Sequence, residues 1–519
     1  MLGVAMPGVA TPRVAMPDFD LVVIGAGAAG LSVTAVAAQL GLRVALIERD
    51  RMGGDCLNTG CVPSKALLAA AHAAQAARTA GRFGIRLPEP VIDWGAVRAH
   101  VTGTIAAIAP MDSEARFRAL GAEVLRGEAR FLDPGTLGIA GTRGSEERRL
   151  TARRIVIAAG SRAAIPPIPG LAEVPHLTNE TLFSLAHPPE HLLILGGGPV
   201  GLEMATAHAG LGCRVTLVEA GRIAPSEDAE LADGLRRAIT AQGTAHGTAH
   251  GTGHETTQGT GPGTGQGTAH GVTLIENASV VAVEPGPTLV LADGRRIAGS
   301  HLLVATGRRP NLEHLALEAG NVRASAAGIA TDRGLRSVTN RRVFAIGDIA
   351  DPVGIGPRAF THVGSYHASI VIRRALFRLP ARLDYAALPR VIYTSPELAQ
   401  VGMTESEARA AGHRVTLLRA PLAENDRAVA ERDVAGLVKL VIAGRRVLGA
   451  GILAPHAGEM IGQWTLAIAR RVPPAALMEL IAPYPTRAEA GKCALTGLFA
   501  PRLCAARTKS LVRLLIRLP

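Results

Sequence analysis

Two glycine-rich fingerprints constrain the fold of this 519-residue chain more than any other feature. The first follows a short apolar run over residues 20–24, typical of a buried strand, and precedes an alanine-rich stretch typical of a helix. Its glycines are Gly25, Gly27 and Gly30. A tight turn, the close approach of a pyrophosphate and close helix–strand packing require them, in that order. The next predicted strand ends at Glu48, whose carboxylate is placed to bind ribose hydroxyls.

The second fingerprint repeats this arrangement after an apolar run over residues 191–195. Its glycines are Gly196, Gly198 and Gly201. The following strand ends at Glu219, which would bind a free ribose 2′-hydroxyl and repel a 2′-phosphate, and this favours NADH over NADPH. The nearby Arg222 weakens that preference. Two complete fingerprints in one chain predict two bound dinucleotides.

A cysteine pair lies directly after the first fingerprint. The segment over residues 53–65 reads GGDCLNTGCVPSK, and the alanine- and leucine-rich run behind it predicts a helix. Pro63 suits the first turn of that helix, so Cys61 is expected at its N-terminus, where unpaired N–H groups stabilise a thiolate. A bridge from Cys56 to Cys61 needs an irregular first turn, which Gly60 allows. Taken alone, a cysteine pair with this spacing fits two buried thiols beside a tight turn better than a redox disulfide.

This segment resembles the redox motif of class I pyridine nucleotide-disulfide oxidoreductases, which include dihydrolipoamide dehydrogenase, glutathione reductase and mercuric reductase. Their motif is GG-x-C-x-N-x-G-C-x-P-[ST]-K, and Asp55 stands where better-known members usually have threonine. The resemblance covers roughly residues 18–500. It implies an α/β fold with two Rossmann-like, doubly wound domains for FAD and NAD, plus a C-terminal α+β dimerisation domain. It also implies a homodimer.

Within residues 18–500, the resemblance sets the expected domain boundaries. They are a FAD-binding domain over 18–166 and 312–382, an NAD-binding domain over 167–311 and a dimerisation domain over 383–500. Outside the resemblance, the residues themselves predict a disordered extension over 1–17 and a basic amphipathic tail over 501–519.

In the resembled family, three later segments complete the FAD site. Ala129 lies on a strand that runs past the flavin, Gly160 closes the first part of the domain, and Asp348 binds the ribityl chain. Gly307 closes the NAD domain. The expected FAD-binding residues are therefore Gly25, Gly27, Gly30, Glu48, Lys65, Ala129, Gly160 and Asp348, and the expected NAD-binding residues are Gly196, Gly198, Gly201, Glu219 and Gly307.

The resemblance implies that NADH reduces FAD and that reduced FAD opens a Cys56–Cys61 disulfide. Cys61 would face the flavin, and Cys56 would face the substrate. Lys65 lies one helical turn after Cys61 and would stay near flavin N5, paired with Glu203. The charge of Asp55 would oppose thiolate formation at Cys56.

The C-terminal catalytic segment departs from the pattern of the dithiol–disulfide members. Those members have His-Pro-Thr-x-x-Glu with histidine as the acid–base, whereas this chain has Tyr484 and keeps Glu489. Tyrosine titrates near ~10, so it is a poor proton shuttle at neutral pH. Mercuric reductases also carry tyrosine here, together with a vicinal cysteine pair at the extreme C-terminus. In this chain Cys493 and Cys504 are isolated.

We therefore predict a mercuric-reductase-like enzyme that passes electrons from NADH through FAD and the cysteine pair to a thiophilic metal, an electrophile or a disulfide. One alternative is a dihydrolipoamide dehydrogenase with an atypical acid–base. Another is a flavin-binding redox sensor, or a membrane-associated protein, without efficient turnover. The tail motivates this last hypothesis, because Lys509, Arg513 and Arg517 form a basic stripe beside apolar residues. Packing of the tail on its own dimer is the competing interpretation.

Composition favours a cytoplasmic location. The net charge of +12 is dispersed, without a basic run interleaved with aromatic residues, so nucleic-acid binding is not expected. Five cysteines do not suggest the disulfide scaffold of a secreted protein. The uncharged stretch over residues 21–42 is long enough to span a bilayer, but its glycines and polar residues favour strand, turn and helix.

A low-complexity run over residues 243–271 interrupts the predicted NAD domain. Its glycine- and threonine-rich repeats cannot bury a core, which predicts a mobile surface loop. His246, His250 and His254 recur every four residues, a spacing that would align metal ligands on a helix. Glycine at this density argues against a helix, so we expect an expanded loop and no metal site.

Overall fold

The computed structural model describes residues 16–141, 147–241 and 271–519, and these fold into two compact units. Within those ranges, the first unit comprises residues 16–58, Ala107–Arg162 and Arg309–Leu383. The second comprises Thr59–Ala106, Ala163–Arg308 and Asp384–Pro519. The expected loop over 243–271, except Gly271, and nearly all of the expected N-terminal extension lie outside the described residues.

The strands are β1 (Phe19–Ile24), β2 (Val44–Glu48), β3 (Ala122–Asp133), β4 (Thr136–Gly141), β5 (Arg148–Ile157), β6 (Ser161–Ala163), β7 (His191–Leu195), β8 (Arg214–Val218), β9 (Val272–Ile275), β10 (Val280–Glu284), β11 (Thr288–Leu291), β12 (Arg296–Ala298), β13 (His301–Val304), β14 (Arg308–Pro310), β15 (Ala324–Ser325), β16 (Gly328–Thr331), β17 (Val343–Ala345), β18 (Ala350–Pro352), β19 (Pro389–Ile392), β20 (Glu397–Gly402), β21 (Val415–Pro421), β22 (Leu437–Ala443) and β23 (Arg446–Ala454).

The helices are α1 (Ala28–Gln39), α2 (Gly54–Asn58), α3 (Cys61–Thr79), α4 (Trp94–Ile108), α5 (Glu114–Ala119), α6 (Asn179–Leu182), α7 (Pro199–Gly210), α8 (Ala229–Ala241), α9 (Thr361–Val371), α10 (Glu405–Ala410), α11 (Asp426–Ala430), α12 (Ala457–Ala469), α13 (Pro474–Met478), α14 (Glu489–Leu503) and α15 (Ala506–Leu515).

A parallel sheet in the order β3-β2-β1-β5-β17 forms the centre of the first unit. Its inner strands are continuous apolar runs, and Leu21, Leu46 and Ile155 are fully buried. Runs of this kind are typical of parallel strands that are covered on both faces. Helix α1 packs against α9 and the sheet, while β4 joins β3 and β5 in antiparallel pairs.

A second parallel sheet, in the order β13-β7-β8-β9, lies in the second unit. Helix α7 packs against α3, and its residues from Gly201 to Ala209 are all buried. An antiparallel sheet of β10, β11 and β12 follows in sequence.

The C-terminal part of the second unit is an antiparallel sheet in the order β19-β20-β23-β22-β21. Helix α12 packs on β20 and β23, and α14 packs on β21 and β22. Trp464 and Leu495 are buried in the core that these helices cover. Two doubly wound parts and an α+β C-terminal part confirm the predicted fold class.

The predicted secondary structure around the motifs is also found. Helix α3 begins at Cys61, and Pro63 lies in its first turn. Strands β1, β2, β7 and β8 coincide with the predicted strands to within one residue at either end. Among the residues that the structure describes, no helix is long and apolar enough to cross a membrane.

Candidate nucleotide-binding and redox sites

The first fingerprint forms the turn between β1 and α1. Gly25 has a φ of +103°, and a Cβ placed there would lie 2.4 Å from the oxygen of Ala158. A Cβ on Gly30 would lie 1.9 Å from the oxygen of Gly25. Gly27 differs, because a Cβ there would meet no atom closer than the Cα of Gly54, at 3.9 Å. Packing therefore requires the first and third glycines, whereas the second leaves space at the N-terminus of α1 for an anionic ligand.

The second fingerprint, between β7 and α7, is built in the same way. A Cβ on Gly196 would lie 2.5 Å from the oxygen of Ala305, and one on Gly201 would lie 2.0 Å from the oxygen of Gly196. A Cβ on Gly198, the N-cap of α7, would meet nothing within 4 Å. Gly307, expected to close this domain, has a φ of +144° and accepts a hydrogen bond from Ala164 N at 2.9 Å.

In each nucleotide-binding unit, the acidic residue at the end of the second strand accepts hydrogen bonds from the backbone of the glycine loop. Glu48 accepts hydrogen bonds from the backbone N–H groups of Ala26 at 2.7 Å and Asp50 at 2.8 Å. Glu219 accepts them from Gly197 at 2.6 Å and Gly221 at 2.8 Å. Each carboxylate is thus fixed beside the loop that would carry the pyrophosphate. The residues at both fingerprints fit an adenine dinucleotide.

The paired glycines before Cys56 pack against the first fingerprint. Gly53 N donates to the oxygen of Ala26 at 2.9 Å. Gly54 has a φ of +58°, and a Cβ on it would lie 2.8 Å from the Cα of Gly27. A side chain at Gly54 would therefore push apart two backbone segments that touch. Local sequence patterns give no reason for this glycine pair.

Asp348, the expected ribityl-binding residue, accepts a hydrogen bond from Ser161 Oγ at 2.5 Å. The preceding Gly347 donates its N–H to His367 Nδ1 at 3.0 Å. His367 is fully buried, and burial lowers its pKa to about 4. The imidazole is therefore neutral at pH 7, so Nδ1 can accept this bond. Sequence reasoning missed His367, whose only signal is a polar residue on the buried face of α9.

Two further expected FAD residues lie on β3 and after β5. Ala129 is buried within β3, where it pairs with Ile139. Gly160 has a φ of +66°, and its oxygen accepts a hydrogen bond from Asn311 N at 3.0 Å.

The two motif cysteines lie on separate helices. Cys56 is half-buried in the short helix α2, and Cys61 is the exposed first residue of α3, with Gly60 as its N-cap. Thr59 and Gly60 interrupt the helical conformation between them. An interruption at this point is the irregularity that a bridge between residues five positions apart requires.

Lys65 makes the ion pair with Glu203 that the resemblance implied. Its Nζ lies 2.7 Å from Glu203 Oε2, and the carboxylate is buried on α7. The other oxygen of Glu203 accepts a hydrogen bond from Tyr393 N at 3.1 Å. The Tyr393 ring also faces Lys65, whose Nζ is 4.4 Å from the ring centroid. Tyr393 is a second residue that sequence reasoning missed.

Tyr484 lies in the segment before α14, and Glu489 is the first residue of that helix. The Tyr484 hydroxyl donates to Asp426 Oδ2 at 2.8 Å, and its side chain is 72% exposed. This hydrogen bond and the Asp426 charge raise the pKa of Tyr484 above its usual value. Glu489 Oε2 accepts a hydrogen bond from Thr486 N at 3.2 Å.

Two protein-family models match almost the whole described part of the chain. The model "Pyridine nucleotide-disulphide oxidoreductase" matches residues 19–258 and 265–403. The model of the dimerisation domain of the same family matches residues 388–495.

Curated relatives carry two different activities. A mercuric reductase from Streptomyces lividans is 37% identical over 485 residues, which cover 92% of this chain and 95% of the relative. A dihydrolipoyl dehydrogenase from Geobacillus stearothermophilus is 31% identical over 463 residues, covering 87% of this chain and 90% of the relative.

Solved structures share the fold over nearly the full length. A Cu(II) complex of the HOCl-induced flavoprotein disulfide reductase RclA from Escherichia coli has a TM-score of 0.77 and 26% sequence identity, and the match covers 93% of this chain and 99% of that one. LpdA from Mycobacterium tuberculosis has a TM-score of 0.78 and 25% identity, covering 92% and 99%. The chain therefore belongs to the pyridine nucleotide-disulphide oxidoreductase family and is an FAD-dependent oxidoreductase with a pyridine nucleotide as electron donor.

Proposed function

We propose that this enzyme transfers electrons from NADH, through FAD and the Cys56–Cys61 pair, to a thiophilic metal ion. The observation that carries this proposal is the state of Tyr484. Its hydroxyl proton is committed to Asp426, and the raised pKa keeps the phenol neutral at physiological pH. A neutral phenol cannot take a proton from an attacking dithiol. A metal ion needs no such base, because it binds thiolates directly.

The comparisons support the same choice of acceptor. The Streptomyces lividans relative is named a mercuric reductase, and the Escherichia coli structure holds Cu(II). Both of these related flavoproteins are named for a soft or borderline metal ion, and thiolate is a preferred ligand of such ions.

The proposed reaction moves two electrons from NADH to the metal, and the proton of the hydride, held by a sulfur after reduction, is released when the disulfide forms again. When bound, FAD accepts a hydride from NADH and passes two electrons to a disulfide. The Cys56–Cys61 bond then breaks, and the two sulfurs become thiol or thiolate. A bound Hg(II) would take both electrons as the disulfide forms again, or two Cu(II) ions would take one each. The helix N-terminus at Cys61 favours the thiolate that such a metal requires.

NADH rather than NADPH is the proposed donor. Glu219 ends β8 with its carboxylate fixed beside the second glycine loop. Arg222 makes an ion pair with Asp233, and this carboxylate competes with a 2′-phosphate for the guanidinium. A higher kcat/KM for NADPH than for NADH would contradict this assignment.

The proposed working form is a homodimer. The dimerisation-domain match over residues 388–495 contains Tyr484 and Glu489. In the family, this domain completes the active site of the partner subunit, which accounts for a tyrosine that is 72% exposed in one protomer.

The acceptor can be identified by anaerobic reoxidation. The holoenzyme is reduced with NADH and mixed separately with Hg(II), Cu(II), lipoamide, glutathione disulfide, cystine and a quinone, while flavin absorbance is followed. We expect one of the metal ions to restore the oxidised spectrum fastest. Cys56→Ser and Cys61→Ser should each abolish reoxidation by metal but leave reoxidation by the quinone.

A matched control carries Cys493→Ser and Cys504→Ser, because both cysteines are exposed and lie on or next to α14. It should behave as the wild type. Faster reoxidation by lipoamide would establish the dihydrolipoamide dehydrogenase alternative, which Glu489 favours. Slow reoxidation by every acceptor would establish the redox-sensor alternative.

A further inference from the structure

We propose that the C-terminal tail, residues 501–519, docks on an anionic lipid bilayer through helix α15. This surface lies beyond residue 495, where the match to the dimerisation domain ends. Seven large apolar side chains of the tail are between 51% and 80% exposed. They are Leu503, Leu511, Val512, Leu514, Leu515, Ile516 and Leu518.

The exposure begins at the end of α14. That helix buries Ala490, Ala494 and Leu495 in the core of the C-terminal sheet, but its last residue, Leu503, is exposed. Helix α15, which follows it, buries no residue. More than half of each large apolar side chain of α15 therefore stays in water in the single protomer, and removing it from water would be favourable.

Two charges of α15 lie on the side opposite its apolar residues. At about 100° per residue, Lys509 and Arg513 share one narrow face, and Leu511 and Leu515 lie on the opposite one. Arg507 lies beside the apolar face, and Arg517 follows the end of the helix. The segment over residues 501–519 has five basic residues and no acidic one. It thus combines an apolar face with charges that are all cationic.

This combination matches one kind of surface. An anionic bilayer attracts the basic face by its negative surface potential and receives the apolar face at the boundary between headgroups and acyl chains. A second copy that docks tail to tail is a poorer occupant, because both tails carry five basic residues and no acidic one. Helix α15 has ten residues and a length of about 15 Å, about half of a bilayer's hydrocarbon core, so it lies in the plane of the surface.

Vesicle sedimentation tests this inference on the full-length holoenzyme. Vesicles of phosphatidylcholine alone are compared with vesicles that also contain phosphatidylglycerol, at low and at high salt. We expect binding only to the anionic vesicles and a weakening of about tenfold or more at high salt.

Three variants separate the two faces. Leu511→Ser/Leu515→Ser/Ile516→Ser removes apolar contacts, and Lys509→Gln/Arg513→Gln/Arg517→Gln removes three charges. Each should lower the fraction bound about tenfold, with FAD content and NADH oxidation unchanged. The control, Arg414→Gln/Arg445→Gln/Arg446→Gln, removes the same number of charges from exposed residues beside strands β21 and β23. It should bind the vesicles as the wild type does.

Three results would overturn the inference. The first is equal binding to both kinds of vesicle. The second is an equal loss in the control variant, which would assign binding to overall charge. The third is a serine variant that binds vesicles normally but changes its oligomeric state, which would show that the apolar face covers a second copy.

Discussion

Lys65 is held by two chemically different partners. The Glu203 carboxylate attracts the ammonium group at 2.7 Å, and the Tyr393 ring offers its π face at 4.4 Å from the ring centroid. Tyr393 also donates its backbone N–H to the same carboxylate. A lysine that is 37% exposed would otherwise sample several rotamers. The three groups together fix the position of the ammonium.

Tyr393→Leu should loosen Lys65, whereas Tyr393→Phe should not, because phenylalanine keeps the aromatic face. A cation–π contact at a partly exposed site contributes about 0.5–1 kcal/mol, so we expect acetylation of Lys65 to be roughly two- to fivefold faster in the leucine variant. Quantitative mass spectrometry of the Lys65 peptide measures the rate. Equal rates in both variants would mean that the ring does not hold the lysine.

Tyr484→His should raise activity with dihydrolipoamide. An imidazole titrates near ~6.5 and can accept the thiol proton that a phenol cannot, so a gain of roughly tenfold or more is expected. Tyr484→Phe is the matched control, since it breaks the hydrogen bond to Asp426 without supplying a base. Steady-state kinetics of all three proteins decide the matter. No gain in the histidine variant would contradict the role assigned to this position.

At the scale of elements, the three glycines of each strand–glycine–helix unit have different structural tasks. The third glycine lets the helix pack on the preceding turn, and the second leaves room for a ligand. These tasks can be separated experimentally in the second fingerprint.

Gly198→Ala should fold normally but bind NADH poorly, because its methyl group would enter space that the protein leaves open. A rise in KM for NADH of about tenfold, with unchanged FAD content and Tm, is expected. Gly201→Ala should destabilise the protein by about 1–3 kcal/mol, because its Cβ would lie 2.0 Å from a carbonyl oxygen. Differential scanning fluorimetry and NADH titration distinguish the two. The same loss of Tm in both variants would contradict the assignment.

At the scale of the whole molecule, each unit buries a neutral histidine. His367 in the first unit and His208 in the second are both buried, and burial lowers the pKa of each to about 4. His208 makes a hydrogen bond to the oxygen of Met204 at 2.9 Å, and His367 accepts the Gly347 N–H. Protonation of either side chain would place an uncompensated charge in a core.

The free energy of unfolding should therefore fall as the pH is lowered from 6.5 towards 4. The unfolded chain binds a proton at each histidine below about pH 6.5, whereas the folded protein does so only near pH 4. Relative to its value below pH 4, the free energy of unfolding gains on the order of 3 kcal/mol from each histidine, and this gain is complete above pH 6.5. Urea unfolding at several pH values measures it.

His208→Leu should flatten this dependence, whereas His413→Gln, at an exposed histidine, should leave it unchanged. A free energy of unfolding that stays constant from pH 7 to pH 4.5 would contradict the prediction.

The sequence by itself determined the order of the two nucleotide-binding units, the strands beside them and the start of α3 at Cys61. These features depend on local rules: apolar strands, glycines at a tight turn and a proline in a first helical turn. The Lys65–Glu203 pair, by contrast, came from the resemblance to a family, because 138 residues separate its members. No local pattern encodes such a contact.

Only the tertiary structure decided what surrounds the chemical groups. Tyr393 lies 190 residues from Glu203, and His367 reaches back from α9 to Gly347. Lys439 is buried, and carboxylate oxygens of Asp228, Glu230 and Glu405 each lie 2.9 Å from its ammonium group. These contacts exist because packing brings distant elements together and because a buried polar group must find a partner. In the sequence alone, a tyrosine, a histidine or a lysine is equally compatible with a solvent-exposed position. Only the tertiary packing determines which groups Tyr393, His367 and Lys439 contact.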